Sequence, residues 1–371
     1  MLLKVIGAIA GLIILVGLII LAVIYLAPQF GQPPGKMRKK QFQALENYQN
    51  GAFINSQVTE MNIKAMKMLR EILSPHPHRK PTSAPEVKTL NGSQLGGQSS
   101  ANPRLIWFGH SAFLLEMAGK VILIDPMLGE RAAPFSFMGP SRYSEELPID
   151  IDDLPEIDLV ILSHDHYDHL DYGSIMKLKN KTRHFYTPLG VGSHLEAWGV
   201  DSDKIKELNW WDEASLDGIN LVCTPARHFS GRALLDRNAT LWCSWVISYD
   251  TTQIYFSGDG GYGKHFKQIG ERYGPFDISL IECGQYNPQW EAIHMLPEQS
   301  VQAAIDLKSR LMMPIHWGAF TLAFHSWTEP VERARAAAKK KGLPMATPII
   351  GESLIIGVEN HFTSEWWESY Y

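Results

Sequence analysis

The chain has 371 residues, 45% apolar and 20% charged, an ordinary globular balance that rules out wholesale disorder. Thirty Gly without a Gly-X-Y period exclude collagen, and three Cys exclude a disulfide scaffold. A net charge of −5 offers no basic field to a phosphate backbone, so no nucleic-acid partner is expected.

Residues 5–27 run twenty-three positions without a charge, mostly Ile, Leu, Val and Ala. Such a helix spans the ~30 Å of a bilayer's hydrocarbon core. The run is longer than a signal-peptide apolar region of about 7–15 residues, and Ile24-Tyr-Leu-Ala-Pro28 offers no small-x-small cleavage site. Residues 1–30 are therefore expected to be a single-pass membrane anchor. Lys4 precedes the run, whereas Lys36, Arg38, Lys39 and Lys40 follow it, which favours a catalytic portion on the cytoplasmic side. Cys223, Cys243 and Cys283 lie in apolar runs and read as packed free thiols.

Residues 31–103 read as a basic juxtamembrane segment, a short helix and a linker. Apolar positions at helical spacing predict the helix over 61–73, lying against the bilayer or over the site. Residues 75–102 are rich in Pro, Ser, Gly and Asn, a composition that predicts an extended or disordered connection. From Arg104 short β-rich runs follow at 105–117, 120–124, 158–163, 220–224, 241–248, 253–257, 278–281 and 349–356. Helical patterns fall at 264–273, 297–310 and 330–341. Residues 104–371 thus read as an α/β domain, two sheets with helices packed outside.

The decisive run is Leu162-Ser-His164-Asp-His166-Tyr-Asp168-His169, directly after an apolar stretch that reads as a buried strand. Crowded imidazoles and carboxylates repel and compete unless a divalent ion organises them. Without nearby Cys the set suits zinc, and also iron or manganese, in a catalytic rather than a structural site. His228, Asp259 and His316 each follow another apolar run, so all these groups can converge at one rim.

In that order, His164, His166, Asp168, His169, His228, Asp259 and His316 resemble the metallo-β-lactamase fold superfamily. The resemblance implies an αββα sandwich with a two-metal site at the edge of its sheets. It places His164, His166 and His228 on one ion, Asp168, His169 and His316 on the other, and Asp259 between them. Two ions about 3.5–4 Å apart hold a hydroxide and clamp a phosphoryl or acyl oxygen. Further runs are similar to the N-acylphosphatidylethanolamine phospholipase D branch, among them Trp107-Phe-Gly-His-Ser, Leu123-Ile-Asp125-Pro, Arg131-Ala-Ala-Pro, Trp210-Trp211 and His316-Trp-Gly-Ala-Phe320. They extend over about residues 104–355. The chain departs from that pattern at Ile293, where the branch carries Gln, and at Gly260, where Thr is common.

The expected enzyme is a membrane-anchored hydrolase of phospholipase D type acting on N-acylphosphatidylethanolamine-like lipids. Asp168 and Asp259 orient the hydroxide, while Tyr167 and His294 hold phosphate oxygens. Asp125 and His110 steady ligand side chains from behind. His184, His194, His265, His325 and His361 carry no motif and read as structural, as do Trp210 and Trp211. The bilayer and a phospholipid are the expected partners, with room for a homodimer. Two other classes stay open: a lactonase or hydrolase of a small phosphorylated metabolite, and a non-catalytic scaffold.

Overall fold

Runs of β-branched and aromatic residues, broken at Gly, Pro and Asn, build two sheets in the computed structural model, which describes residues 1–96, 102–358 and 364–371. Ahead of them come α1 (Leu2–Leu26), α2 (Lys36–Phe42), a small hairpin of β1 (Tyr48–Gln49) and β2 (Ala52–Phe53), and α3 (Ala65–Leu73). The next stretch carries β3 (Arg104–Trp107), β4 (Phe113–Met117), β5 (Lys120–Ile124), β6 (Ile157–Ile161), α4 (Tyr172–Leu178), β7 (Thr182–Pro188), α5 (Gly192–Ala197) and β8 (Ile205–Leu208). Then follow β9 (Glu213–Leu216), β10 (Ile219–Thr224), β11 (Ser244–Tyr249), β12 (Thr252–Phe256), α6 (His265–Arg272), β13 (Ile278–Glu282), α7 (Pro297–Asp306), β14 (Met312–Ile315), α8 (Glu329–Lys341) and β15 (Ser353–Ile355).

One sheet has the order β15-β3-β4-β5-β6-β7-β8 and the other β14-β13-β12-β11-β10-β9. Each is antiparallel at one side and parallel at the other, from β5 to β8 and from β12 to β14. Strand alternation sends one set of side chains inward. Leu115, Ile122, Ile124, Leu159 and Ile161 meet Leu221, Trp245, Ile247, Phe256 and Leu280 between the sheets. The opposite faces are covered by helices, α4 and α5 over Leu114, Leu123 and Phe185, and α6, α7 and α8 over Val246, Tyr255 and Ile281. The result is the expected αββα order of layers.

The run 105–117 is two strands rather than one. Gly109 and His110, at φ 83° and 56°, make the tight turn between β3 and β4 and bring His110 to the rim. Strands β7, β8 and β9 and helices α4 and α5 had no distinct sequence signal. α1 is 25 residues long and its described side chains are solvent-facing, so it is long and apolar enough to cross a membrane.

Residues 31–96 pack onto the domain: the short helix expected over 61–73 is present at Ala65–Leu73, and residues 75–96 depart from the linker expectation. Phe42, Tyr48 and Phe53 pack edge-on or tilted against one another with ring centroids 4.9–5.6 Å apart and are buried with the inter-sheet core. Downstream, the backbone N–H groups of His76, Thr82 and Lys88 donate to the carbonyls of Phe324, Tyr370 and Ile350, each at 2.9 Å. A Pro-rich chain with few local hydrogen bonds satisfies its backbone on distant loops instead. Residues 97–101 of the expected linker, and His361, lie outside the described residues.

Candidate metal centre

Every group in the site stands just beyond the end of a strand, at the rim where α/β sheets gather reactive side chains. β6 runs out into His164–His169 by sequence, β10 into His228, β12 into Asp259, β14 into His316 and β5 into Asp125. Non-glycine residues at positive φ are sterically costly, yet His110, Asp125 and His316 adopt φ of 56°, 40° and 66°. Gly258, at φ 56°, is needed beside Asp259, because a Cβ there would stand 2.7 Å from the carbonyl oxygen of Cys243.

Two constellations form. In the first, His166 Nδ1 lies 2.9 Å from His164 Nε2 and 3.2 Å from His228 Nε2. Zn–N bonds of ~2.0–2.1 Å at a tetrahedral centre put donor nitrogens about 3.3 Å apart, so these three already sit near the edges of such a tetrahedron. In the second, Asp168 Oδ2 lies 3.3 Å from His316 Nε2 and 3.8 Å from His169 Nε2. Asp259 stands between the two. Its Oδ1 is 3.1 Å from His169 Nε2, and its Oδ2 is 2.9 Å from His316 Nε2 and 4.0 Å from both His164 and His228 Nε2.

Electrostatics separate the constellations. Burial, with mutual repulsion among the rings, holds His164 and His228 well below the usual imidazole range, and burial lowers His166 as well. They are neutral rings with lone pairs to offer. Burial also acts against charge on His316, but the carboxylates of Asp259 and Asp168 more than offset it and push the group up to about 10. His169 is raised in the same way. Without an ion, protonated His169 and His316 balance the two carboxylates; a divalent cation would replace those protons. His169 Nε2 and Asp259 Oδ1, both buried, form no aligned hydrogen bond with any described residue although they face each other. The donor set therefore fits a metal pair.

Supporting contacts lie behind these groups. Asp125 Oδ2 is 2.6 Å from His169 Nδ1, and its Oδ1 accepts the Ser163 N–H at 2.7 Å. His110, kept neutral by burial and by His316, has its pKa lowered to about 3; its Nε2 is 3.0 Å from Asp168 Oδ2. Three supports were missed from sequence. Glu282, the last residue of β13, accepts the Met295 N–H at 2.9 Å and stands 3.4 Å from His294 Nδ1 and 3.9 Å from His316 Nδ1. Its position at a strand end is the signal that marked the others. Asp165 accepts from the Gly231 N–H and Thr240 Oγ1, both at 2.8 Å, and His194 is 3.3 Å away, so that ring braces the ligand loop. Arg232 donates to the carbonyls of Asp165 and Leu170 at 2.6 and 2.7 Å, and to the carbonyl of Gln29 at 2.7 Å.

His166, Asp168, Asp259 and His316 open into a cavity of about 240 Å3, walled by Met61, Phe229, Trp290, Ile293 and Leu322 with His294 among them. Tyr167 is not there, contrary to the expectation that it holds phosphate. Its hydroxyl donates to the Arg232 carbonyl at 2.5 Å and its ring carries the Arg232 guanidinium at 4.2 Å, so it lines a separate cavity beside Gln29 and Phe135. Alternate residues of the ligand loop face opposite ways, and Tyr167 falls on the far side. Trp210 is core, its Nε1 donating to the Trp242 carbonyl at 2.7 Å.

Residues 120–317, more than half of the chain, match the family model of the beta-lactamase superfamily domain. An uncharacterized protein of Mycobacterium tuberculosis is 42% identical over 319 residues, covering 82% of this chain and 83% of that one. The N-acyl-phosphatidylethanolamine-hydrolyzing phospholipase D 1 of Caenorhabditis elegans is 34% identical over 228 residues, 58% of this chain and 64% of the relative. Among solved structures, the metallo hydrolase Igni18 of Ignicoccus hospitalis superposes with a TM-score of 0.53 at 22% identity, covering 70% of this chain and 100% of that chain, which speaks for the fold. With the ligand-type side chains gathered at the sheet edge, the chain belongs to the beta-lactamase superfamily.

Proposed function

We propose that this chain is a membrane-anchored, zinc-dependent phosphodiesterase of phospholipase D type. It cleaves the bond between phosphate and N-acylethanolamine in N-acylphosphatidylethanolamine-like lipids. The observation that carries this reading is the pairing of Asp259, set between two ligand clusters, with the apolar walls of Met61, Phe229, Trp290, Ile293 and Leu322. An anionic diester with long chains uses both features, whereas a small polar lactone leaves the apolar wall facing water. α1 supports the lipid assignment, because a tether raises the enzyme's effective concentration at the bilayer. Lys4 before α1 and Lys36, Arg38, Lys39 and Lys40 after it favour a cytoplasmic domain.

His164, His166 and His228 would hold one divalent ion, Asp168, His169 and His316 the other, and Asp259 both; zinc is proposed, although the same donors suit iron or manganese. When bound, such a pair supplies Lewis-acid polarisation of the phosphoryl oxygens and a lowered water pKa. The chain's own residues do the rest. Asp168, steadied by His110 at 3.0 Å, orients the attacking water toward phosphorus. His294, backed by Glu282, donates to a non-bridging phosphate oxygen. As water adds, the bond to the N-acylethanolamine oxygen breaks, and the proton given up by water ends on the departing alkoxide. Phosphatidic acid and N-acylethanolamine are the products.

The test is mass spectrometry of products from N-acylphosphatidylethanolamine vesicles, using zinc-loaded full-length protein with Asp259→Asn as control. Both products, absent in the control, are expected. A metal-replete protein that yields neither would overturn the substrate assignment and turn attention to other esters.

A further inference from the structure

The short helix α3 is amphipathic in the reverse sense to a core helix. None of its residues is buried, and Met66, Leu69, Ile72 and Leu73 are 65%, 47%, 54% and 72% exposed. Its polar side meets the protein. The Glu71 carboxylate accepts from Asn287 Nδ2 at 2.8 Å and Gln289 Nε2 at 3.3 Å. Just ahead of the helix, the Asn62 and Lys64 N–H groups donate to the Gln289 carbonyl and side chain, both at 2.8 Å. In water an amphipathic helix turns its apolar stripe inward, so this arrangement calls for a covering phase outside the protein.

Its position is equally specific. Gln289 is followed by Trp290, and Trp290 shares the wall of the metal-site cavity with Met61, four residues before α3. On the same rim a closed loop carries a second apolar tip, Phe137, 81% exposed. That loop is held by the Arg131 guanidinium on the Gly139 carbonyl at 2.9 Å, and the ring of Phe135 within it meets Phe30 at 5.8 Å. A further cavity is lined by Pro75 and Pro77 after α3 and by Pro140 after the loop, so the segments that follow the two tips adjoin. The exit of α1 is fixed to this rim as well. Trp198 Nε1 donates to the Pro28 carbonyl at 2.6 Å and Arg232 to that of Gln29 at 2.7 Å, leaving no slack between α1 and the domain.

We propose that α3 is an interfacial helix whose apolar face, together with the Phe137 tip, lies in the surface of the bilayer that α1 crosses. The mouth of the metal-site cavity is thereby held at the lipid headgroups. This inference rests on the reading of α1 as a membrane anchor. The bilayer is favoured over a second copy of the chain because Lys64 just ahead of α3 and Lys67 and Arg70 within it are cations, while its one acid, Glu71, is held by Asn287 and Gln289 and lies 4.0 Å from Lys67. Those cations suit phosphate headgroups and would repel their own copies. A helix of this kind sits with its apolar face ~5–10 Å into the boundary between headgroups and acyl chains.

The experiment measures label depth in the full-length protein, reconstituted into vesicles of phosphatidylethanolamine and phosphatidylglycerol. Because Cys223, Cys243 and Cys283 are buried, a nitroxide is directed to one introduced thiol at a time. The variants are Leu69→Cys on α3, Phe137→Cys at the loop tip, Ile14→Cys within α1 and Lys340→Cys on the outer helix α8. The ratio of collisions with oxygen to collisions with an aqueous nickel chelate is expected to be several-fold higher at 69 and 137 than at 340, and highest at 14. A label at 69 as open to nickel as the one at 340, with 14 still deep, overturns the inference and leaves the anchor standing. Spin–spin broadening at 69 that vanishes on dilution with unlabelled protein overturns it in favour of a second copy. An aqueous label at 14 removes the anchor reading and the inference with it.

Discussion

Asp125 lines no part of the metal-site cavity, yet it fixes the ring of His169, whose Nδ1 lies 2.6 Å away, so that Nε2 points toward Asp259. Carboxylates behind ligand imidazoles set the tautomer and typically govern 10–100-fold in metal affinity, so Asp125→Asn should weaken metal binding by about that factor. Competition with a chromogenic chelator measures it, with near-UV circular dichroism to verify the fold; unchanged affinity would contradict the role. Tyr167 and His294 form a contrasting pair. Tyr167→Phe removes one hydroxyl–carbonyl bond outside the cavity lining, and should cost ~1 kcal/mol of stability while leaving KM for lipid unaltered. His294→Ala removes the proposed donor to a charged phosphate, a bond typically worth ~1.5–3 kcal/mol, and should lower kcat/KM by roughly ten- to a hundredfold. Steady-state kinetics on mixed micelles separates the two, and a raised KM in the Tyr167 variant would mean that the loop turns over. The proposed ligands could be read in the sequence because each is a polar residue placed directly after an apolar run. Arg232 could not, since its partners at 29, 165 and 170 are distant in sequence and its own neighbours, Gly231 and Ala233, carry no pattern.

At the scale of elements, Arg232 is a strap between the exit of α1 and the loop of proposed ligands. It is buried, sandwiched between the rings of Tyr167 and Trp198 at 4.2 and 5.1 Å, and bonded to both segments. Lysine keeps the charge but not the planar fork, so Arg232→Lys should lose two of three bonds, or roughly 3–6 kcal/mol before relaxation. Differential scanning calorimetry should show a fall of about 5 °C or more, since 1 kcal/mol moves the midpoint ~2–4 °C in domains of this class. A chain beginning at residue 28 should keep the wild-type midpoint less the contribution of α1, whereas one beginning at residue 36 should resemble the Arg232 variant. Equal midpoints for the two truncations would dissolve the strap. Such elements are poorly visible in a sequence because their bonds are long-range. The same holds for β7, where Thr182-Arg-His-Phe-Tyr-Thr-Pro mixes polar and apolar residues and becomes a strand only by pairing in parallel with β6 and β8. Residues 75–96 look like a loose connection for the same reason. By contrast β5, β6, β12 and β13, each buried in the sandwich, are nearly continuous apolar runs and were evident from composition alone.

For the molecule as a whole, stability and the proposed site reside in different places. Three large apolar clusters, one between the sheets and one outside each, involve few of the rim residues. The rim instead concentrates strain and charge, in the positive φ angles of His110, Asp125 and His316 and in the facing carboxylates of Asp168 and Asp259. Removing metal should therefore leave the sandwich folded at room temperature but lower its melting temperature. An ion present at 100 to 1,000 times its dissociation constant contributes ~2.7–4.1 kcal/mol per site, so a pair should shift the midpoint by about 10–30 °C at most. Protonated His169 and His316 offset part of that loss, because each imidazolium balances the carboxylates that the metal had neutralised. The measurable shift should accordingly fall toward the lower end and grow as the pH is raised, since fewer imidazoles then carry the compensating proton. Melting curves of the detergent-solubilised protein, recorded with excess metal and with chelator at two pH values, test both points. Unfolding on chelation at 25 °C would place the rim among the elements that hold the sandwich together, and a shift that shrinks with rising pH would remove His169 and His316 from the metal's neighbourhood.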